Sequence, residues 1–165
     1  MLKCHELIGF MPEELAEEIL EFLYRSDKPT YKAALAAVAE AQRVRPVFLE
    51  RKPRKDRHVQ MIQVLSRPRM EETAASVLRE WLLKAEKPMI IDFLNALEIE
   101  HEDGLVEDFP EEVDPEKLRK AIDLLLEKYP PIKVAIYLNT VRATSDVNWK
   151  LLQEMLENDE RLQIA

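Results

Sequence analysis

The chain has 165 residues, of which 47% are hydrophobic, 34% charged and 7% aromatic, and its formal net charge is −8. This length suits a single domain that buries about 70% of the surface its unfolded chain exposes, and the composition is that of a globular helical protein rather than a disordered tail. Two glycines are too few for a fold built on glycine-containing β-hairpins, which this composition excludes.

The cysteine content and the hydropathy pattern indicate the compartment. Cys4 is the only cysteine of the sequence, so no internal disulfide can form, as is typical of reducing compartments. The first ten residues contain charges and no long apolar core, unlike a secretory signal. No apolar run approaches the roughly 18 residues of a membrane span. We therefore expect a cytoplasmic protein with no membrane partner.

Residues 12–43 are predicted to form a first helical hairpin. Pro12, followed by Glu13 and Glu14, indicates a helix start, because proline is tolerated there and acidic residues suit the N-terminal end of the helix dipole. Asp27 is a candidate N-cap for the second helix. That helix is rich in alanine, which favours helix formation and allows close approach to a neighbour.

Residues 44–67 are predicted to form a basic loop followed by an inserted helix, in which Val59, Ile62 and Leu65 restore the helical period. Between residues 43 and 69, nine Lys and Arg residues accompany two acidic residues, a local charge of +7. The remainder of the chain then carries −15. This asymmetry is the main functional indication in the sequence.

Two further hairpins are predicted at 68–99 and 114–143, followed by an unpaired helix at 145–158 that would cap the array. The third hairpin begins with Asp114 and Pro115, which provide an N-cap and a first-turn proline.

The segment 98–116 carries ten acidic residues and no Lys or Arg. It does not match the calcium-binding EF-hand loop, because from Glu98 the glycine comes one position late and the twelfth position is Phe109. We interpret the segment as a flexible acidic loop without a metal.

One apolar pattern recurs in the three hairpins. The eight apolar positions of residues 71–97 stay apolar or aromatic when they are moved back by 59 residues or forward by 44. Their spacing of three and four residues matches the helical period. The 24 positions are Leu15, Ile19, Phe22, Leu23, Tyr31, Ala34, Leu35, Val38, Ala74, Leu78, Trp81, Leu82, Ile90, Phe93, Leu94, Leu97, Leu118, Ile122, Leu125, Leu126, Val134, Tyr137, Leu138 and Val141.

A succession of helix pairs with a period near 44 residues resembles the HEAT and armadillo class of α-solenoid proteins. The resemblance lies in the period and the apolar pattern, and it covers most of the chain. It implies an all-α fold of three tandem helical hairpins, with an inserted helix after the first and a C-terminal capping helix, in a right-handed α-α superhelix. The sides of such a stack bind proteins or extended ligands. The alternative is a compact helical bundle that arose by duplication.

The candidate binding residues are seven cations of the basic segment. Arginine pairs bidentately with phosphate oxygens and a dense basic patch attracts nucleic acid, although only Phe48 is close enough in sequence to stack on a base. In a stack of hairpins the basic and acidic segments would share one edge, so we favour mutual pairing, within a chain or across a dimer, or plain solvation. The seven residues are Arg43, Arg45, Arg51, Lys52, Arg54, Lys55 and Arg57.

No catalytic, metal or cofactor site is predicted. His5, His58 and His101 lie in separate segments, and neither a zinc-ligand spacing nor a glycine-rich phosphate loop nor a GxSxG sequence occurs. Trp81 occupies a stripe position and is assigned to the core, whereas the role of Trp149 is left open.

We therefore expect a non-enzymatic module that binds another protein, or itself as a homodimer, through a charged edge between repeats. The alternative is binding of nucleic acid or a phosphate ligand through residues 43–57.

Overall fold

A computed structural model describes residues 2–164, and within that range the secondary structure is helical, with no strand beyond an isolated bridge between Glu102 and Leu105. The predicted all-α class is confirmed. Among the described residues, no helix has the length and apolar character required to cross a membrane.

The helices follow one another with short connections, apart from the acidic segment. They are α1 (Cys4–Phe10), α2 (Glu13–Ser26), α3 (Lys28–Ala41), α4 (Pro46–Glu50), α5 (Arg54–Leu65), α6 (Glu71–Ala85), α7 (Lys87–Ala96), α8 (Pro115–Lys128), α9 (Pro131–Thr144) and α10 (Lys150–Asn158), with 3₁₀ turns at Pro68–Met70 and Glu160–Leu162. Contacts divide them into two compact units, one of Lys3–Trp81 and one of Leu2 with residues 82–164.

Two helix starts form as the sequence predicts. The Asp27 side chain accepts a hydrogen bond from the backbone N–H of Thr30 at 3.3 Å, one residue before α3. The Asp114 side chain accepts one from the N–H of Glu116 at 3.2 Å, and Pro115 opens α8. Each bond satisfies a donor that the first helical turn leaves without an intrahelical partner. Both predicted caps are confirmed.

In the unit Lys3–Trp81, α5 is the central element. It packs against α1, α2, α3 and α4, and it buries Met61, Val64 and Leu65 among them. The helix predicted as an insertion therefore contributes to the core of this unit. The preceding segment, predicted as a loop, contains the short helix α4, which begins at Pro46 and buries Leu49. Proline suits this first position because its missing N–H has no intrahelical acceptor there.

In the second unit, α8 packs against α7, α9 and α10, and α9 also packs against α10 and the 3₁₀ turn that follows it. All eight residues of α9 from Val134 to Val141 are buried, including the polar Asn139 and Thr140. Their side chains bond to backbone carbonyls one turn earlier, at 2.9 and 2.7 Å. The last helix begins at Lys150, later than the predicted start at 145. Residues 145–149 are not helical, and Trp149 is the N-cap.

The apolar stripes identified in the sequence face the interior. Of the 24 positions, Leu15, Phe22 and Leu126 are half-buried and all the others are buried. Trp81 is 1% exposed, which confirms its assignment to the core. The helical period therefore identifies the buried face of each of the six helices that carry it.

Two helices end in a left-handed residue that is not glycine. Arg43 after α3 has φ 58° and Glu98 after α7 has φ 57°. In each case the next N–H bonds to a carbonyl five residues back, Val44 to Ala39 at 3.0 Å and Ile99 to Leu94 at 2.9 Å. This is the Schellman termination, in which glycine is usually preferred because a Cβ atom is strained there.

We expect Arg43→Gly to raise the free energy of unfolding by about 1 kcal/mol, because glycine removes the Cβ strain of the left-handed conformation. Urea unfolding followed by circular dichroism measures the difference. The matched control is Gln42→Gly at φ −95°, where glycine relieves no strain and should destabilise. Equal effects of the two substitutions would contradict this account.

Candidate functional site

The structure gives the seven predicted binding residues two different environments. Five of them are exposed, while Arg54 and Arg57 are half-buried on α5. The five exposed residues are Arg43, Arg45, Arg51, Lys52 and Lys55. We use the term basic surface for these five cations together with the exposed apolar side chains of Val44, Val47 and Phe48.

Arg57 holds the C-terminal end of α4. Its Nε donates to the carbonyl of Leu49 at 3.0 Å, and its Nη2 donates to the carbonyls of Glu50 at 2.8 Å and Lys52 at 3.3 Å. A helix of five residues cannot pair its own last carbonyls. The guanidinium fork supplies several donors in fixed geometry at this position. Arg57 is therefore part of the support of the basic surface rather than of its free charge.

Arg54 is bound to α2. Its Nε donates to Glu21 at 3.0 Å, and its guanidinium lies 4.3 Å from the ring centre of Tyr24. Arg25 also donates to Glu21, at 2.8 Å. Burial opposes ionisation of the Glu21 carboxyl, but the bonds from Arg25 and Arg54 outweigh it and hold its pKa below the usual range. Arg54 thus ties α5 to α2 and is not free to bind a partner.

A continuous hydrogen-bonded chain lies beneath this surface. Nη1 of Arg57 donates to the hydroxyl of Tyr31 at 3.2 Å, and that hydroxyl lies 2.8 Å from Nε2 of His58. Nδ1 of His58 is 2.9 and 3.0 Å from the two carboxylate oxygens of Glu17. Because a carboxylate only accepts, Nδ1 carries the proton and Nε2 accepts from the phenol. Burial raises the pKa of Tyr31, although the nearby Arg57 lowers it, so the phenol stays protonated.

His58 is fully buried and connects three helices. It lies on α5, Glu17 on α2 and Tyr31 on α3, and the Tyr31 and His58 rings meet edge to face with centres 5.5 Å apart. From the sequence, His58 is one of three scattered histidines without a predicted role. A signal was present, because His58 precedes Met61, Ile62 and Leu65 by three, four and seven residues, the spacing of one buried helical face.

Within residues 2–164, one group of three side chains has ligand atoms close enough to hold a cation, Glu17, Glu21 and His58, with atoms within 4.8 Å of one another. Each of these atoms already has a partner. A cation would displace the Nδ1 proton of His58 and would lie beside the guanidinium of Arg54. The arrangement fits a network of ion pairs and hydrogen bonds better than a metal centre.

Cys4 and His5 do not form a nucleophilic pair. Their backbone N–H groups both donate to Glu71, at 3.1 and 2.9 Å, and Nδ1 of His5 lies 2.7 Å from the same carboxylate. Burial, with the nearby Glu71 charge, raises the pKa of the Cys4 thiol to about 12. The reactive thiolate is therefore negligible at neutral pH. The carboxylate of Glu71 instead caps the start of α1.

The acidic segment 98–116, in the other unit, contains an ordered turn where the sequence predicts a flexible loop. Glu102 and Leu105 exchange two backbone hydrogen bonds of 2.8 and 3.0 Å around Asp103 and Gly104, whose φ angles are 53° and 91°. Asp-Gly favours this two-residue turn because both positions require positive φ. The turn presents Leu105, which is 59% exposed.

The acidic segment is also fixed by contacts with its own unit. Glu98 and Asp103 pair with Lys117 and Lys87 at 2.6 and 2.7 Å. Nε1 of Trp149 donates to the carbonyl of Pro110 at 3.0 Å. Trp149, whose role the sequence left open, is buried and holds the segment in place.

A hollow of about 760 Å³ lies beside the turn. Its walls combine two apolar side chains with acidic groups and an imidazole. The lining residues are Glu100, His101, Glu102, Leu105, Val106, Glu107 and Asp108.

Comparison of the chain with protein-family models, curated proteins and solved structures finds no match. We therefore infer the function from the residues themselves and their contacts.

We expect Arg57→Ala to lower the free energy of unfolding by about 2 kcal/mol, because the buried Tyr31 hydroxyl and three carbonyls lose a charged donor. Arg57→Lys should restore little of this, since an ammonium group lacks the planar fork. Urea unfolding gives the free energy, and limited proteolysis within residues 46–53 reports the release of α4. Exposed Arg51→Ala is the control, with an expected change below about 0.5 kcal/mol. An equal loss in both alanine variants would refute the anchoring role of Arg57.

Proposed function

We propose that the protein is a non-enzymatic interaction module whose basic surface binds an acidic segment of a protein that also carries apolar side chains. The observation that supports this proposal is the mixture of exposed cations with the exposed side chains of Val44, Val47 and Phe48, of which Phe48 is 54% exposed. The binding partner is another protein or a second copy of this chain.

The composition of the basic surface suits a protein partner. Aromatic residues and arginine are enriched at protein interfaces, and a central apolar anchor surrounded by polar groups is typical of a hot spot. Arginines 43, 45 and 51 accompany Phe48 in this arrangement. The cations would guide an acidic partner and the apolar side chains would supply the larger part of the affinity, because exposed ion pairs contribute little.

Contacts with the underlying helices hold the basic surface in place. Binding to a fixed surface costs less ordering entropy than binding to a flexible loop. Arg57 connects α4 to α5, and His58 connects α5 to α2 and α3. These contacts support a surface that is already ordered before a partner binds.

We further propose that the helix pairs α2–α3, α6–α7 and α8–α9 are copies of one unit of the HEAT-like helical-repeat class. Supporting this, α3 begins with Lys28-Pro29 and α7 with Lys87-Pro88, each separated from the preceding helix by one residue. Helices α2, α3, α8 and α9 all have 14 residues. Repeats of this class commonly present binding surfaces.

The second candidate function is binding of single-stranded nucleic acid by the same surface. The exposure of Phe48 favours it, because bases stack on exposed aromatic rings while cations contact phosphates. Val44 and Val47 have no role in such a complex, which is why we prefer the protein partner.

The test uses two labelled peptides and one oligonucleotide in fluorescence anisotropy. One peptide contains Glu, Asp and Gly with two Leu residues, the second has Gly in place of Leu, and the oligonucleotide is oligo-dT. We expect the leucine peptide to bind most tightly. Arg51→Glu with Lys55→Glu, or Phe48→Ala alone, should weaken its binding about tenfold or more. Glutamate at position 55 also suits the first turn of α5, so the variant should fold.

The matched control is Lys32→Glu with Lys120→Glu, which makes the same change in net charge at exposed helix positions outside residues 43–57. It should bind the leucine peptide as the unaltered protein does. Failure of that peptide to bind at low salt would overturn the proposal. Tighter binding of oligo-dT, lost in the Arg51 and Lys55 variant, would replace it with the nucleic-acid function.

A further inference from the structure

Two oppositely charged surfaces of this chain each carry one highly exposed apolar side chain. Among the residues that the structure describes, Leu105 at 59% and Phe48 at 54% are the most exposed large hydrophobic residues. Phe48 lies in the segment 43–57, which carries seven cations and two acids, and Leu105 lies in the segment 98–116, which carries ten acids and no Lys or Arg.

We propose that the partner of the basic surface is the acidic segment 98–116 of a second copy of this chain, with Phe48 of one copy seated beside Leu105 of the other. This inference rests on the proposed function and gives it a specific partner. The contact joins two different surfaces, so it is heterologous and leads to head-to-tail assembly.

The charges support this pairing. Arg43, Arg45, Arg51, Lys52 and Lys55 are exposed on one surface, and Glu107 and Asp108 are exposed on the acidic segment. Complementary charge raises the association rate and excludes other alignments. A copy turned the other way would bring cations against cations, which costs free energy.

The shapes also agree with the pairing. The hollow beside the acidic turn is open to solvent and, at about 760 Å³, has room for an aromatic side chain. Leu105 and Val106 give it an apolar wall, and Glu107 and Asp108 lie at the same hollow. An aromatic side chain flanked by arginines matches this lining, because its ring meets the apolar wall while the guanidinium groups meet the carboxylates.

The turn that presents Leu105 is ordered before any partner binds. Gly104 donates its N–H to Nδ1 of His101 at 3.0 Å, and Nε2 of His101 then donates to Asn95 at 2.8 Å. These contacts tie the turn to the end of α7. Since both surfaces are fixed in advance, assembly loses little conformational entropy.

The experiment measures mass by sedimentation velocity for the unaltered chain and for the variants Phe48→Asp and Leu105→Asp. Each variant disables one surface and leaves the other intact, and both changes lie at exposed positions, so the core is unaffected. We expect the unaltered chain to grow in mass with concentration at low salt. Each variant alone should remain a monomer at the same concentrations, with association weakened at least about tenfold.

The decisive measurement is an equimolar mixture of the two variants. The Leu105→Asp chain keeps its basic surface and the Phe48→Asp chain keeps its acidic surface, so the mixture should form a two-chain species and nothing larger. The two altered surfaces have each lost their exposed apolar side chain, so they pair with each other least. Raising the salt from about 0.01 M to about 1 M shortens the Debye screening length from about 30 Å to about 3 Å and should weaken the complex.

The matched control is Phe10→Asp, which places the same charge at another exposed aromatic residue and should associate like the unaltered chain. A monomeric unaltered chain at low salt, or a mixture of folded variants that stays monomeric, would overturn the self-pairing. If that chain still binds the leucine peptide through Phe48, the proposed function stands and only the assignment of the partner fails. If the unaltered chain is monomeric and the leucine peptide also fails to bind, both proposals are wrong.

Discussion

The buried hydrogen bonds of His58 are the constraint on which the unit Lys3–Trp81 depends. The imidazole satisfies both of its nitrogens, one with Glu17 on α2 and one with Tyr31 on α3. A buried polar group costs free energy unless it is paired, so these two contacts favour the observed placement of α5 between α2 and α3. The preceding residue, Arg57, contacts α4 and fixes its end. Adjacent residues of one helix thus order both the interior and the overlying surface.

Charge has different roles at different depths of this molecule. Arg54, Arg57 and Glu21 are partly buried and each bonds to a specific neighbour, which orients the helices. The exposed cations of the basic surface and the exposed acids of residues 98–116 add little to stability, since exposed pairs contribute at most about 1 kcal/mol each. Their separation into two segments of opposite sign therefore contributes little to the stability of the fold.

The sequence predicts much of the fold because the relevant signals are local. The spacing of Leu78, Trp81 and Leu82 identifies a buried helical face, and Asp27 and Asp114 identify helix starts, without any knowledge of distant residues. Other features depend on residues far apart in the chain. The late start of α10 reflects a bond from Trp149 to Pro110, and the role of Arg57 depends on carbonyls of a different helix. The site was predicted as seven equivalent cations because sequence alone does not reveal which of them are bonded internally.

The buried thiol of Cys4 has a practical consequence. It is fully enclosed at the start of α1, which packs against α5 and the 3₁₀ turn at Pro68–Met70. An alkylating reagent therefore reaches the sulfur only when α1 detaches. While α1 is in place, burial also raises the pKa of the Cys4 thiol, so the reactive thiolate forms only in the opened state. Since the sequence has no second cysteine, the alkylation rate of Cys4 measures how often this end of the unit opens. No engineered label is needed.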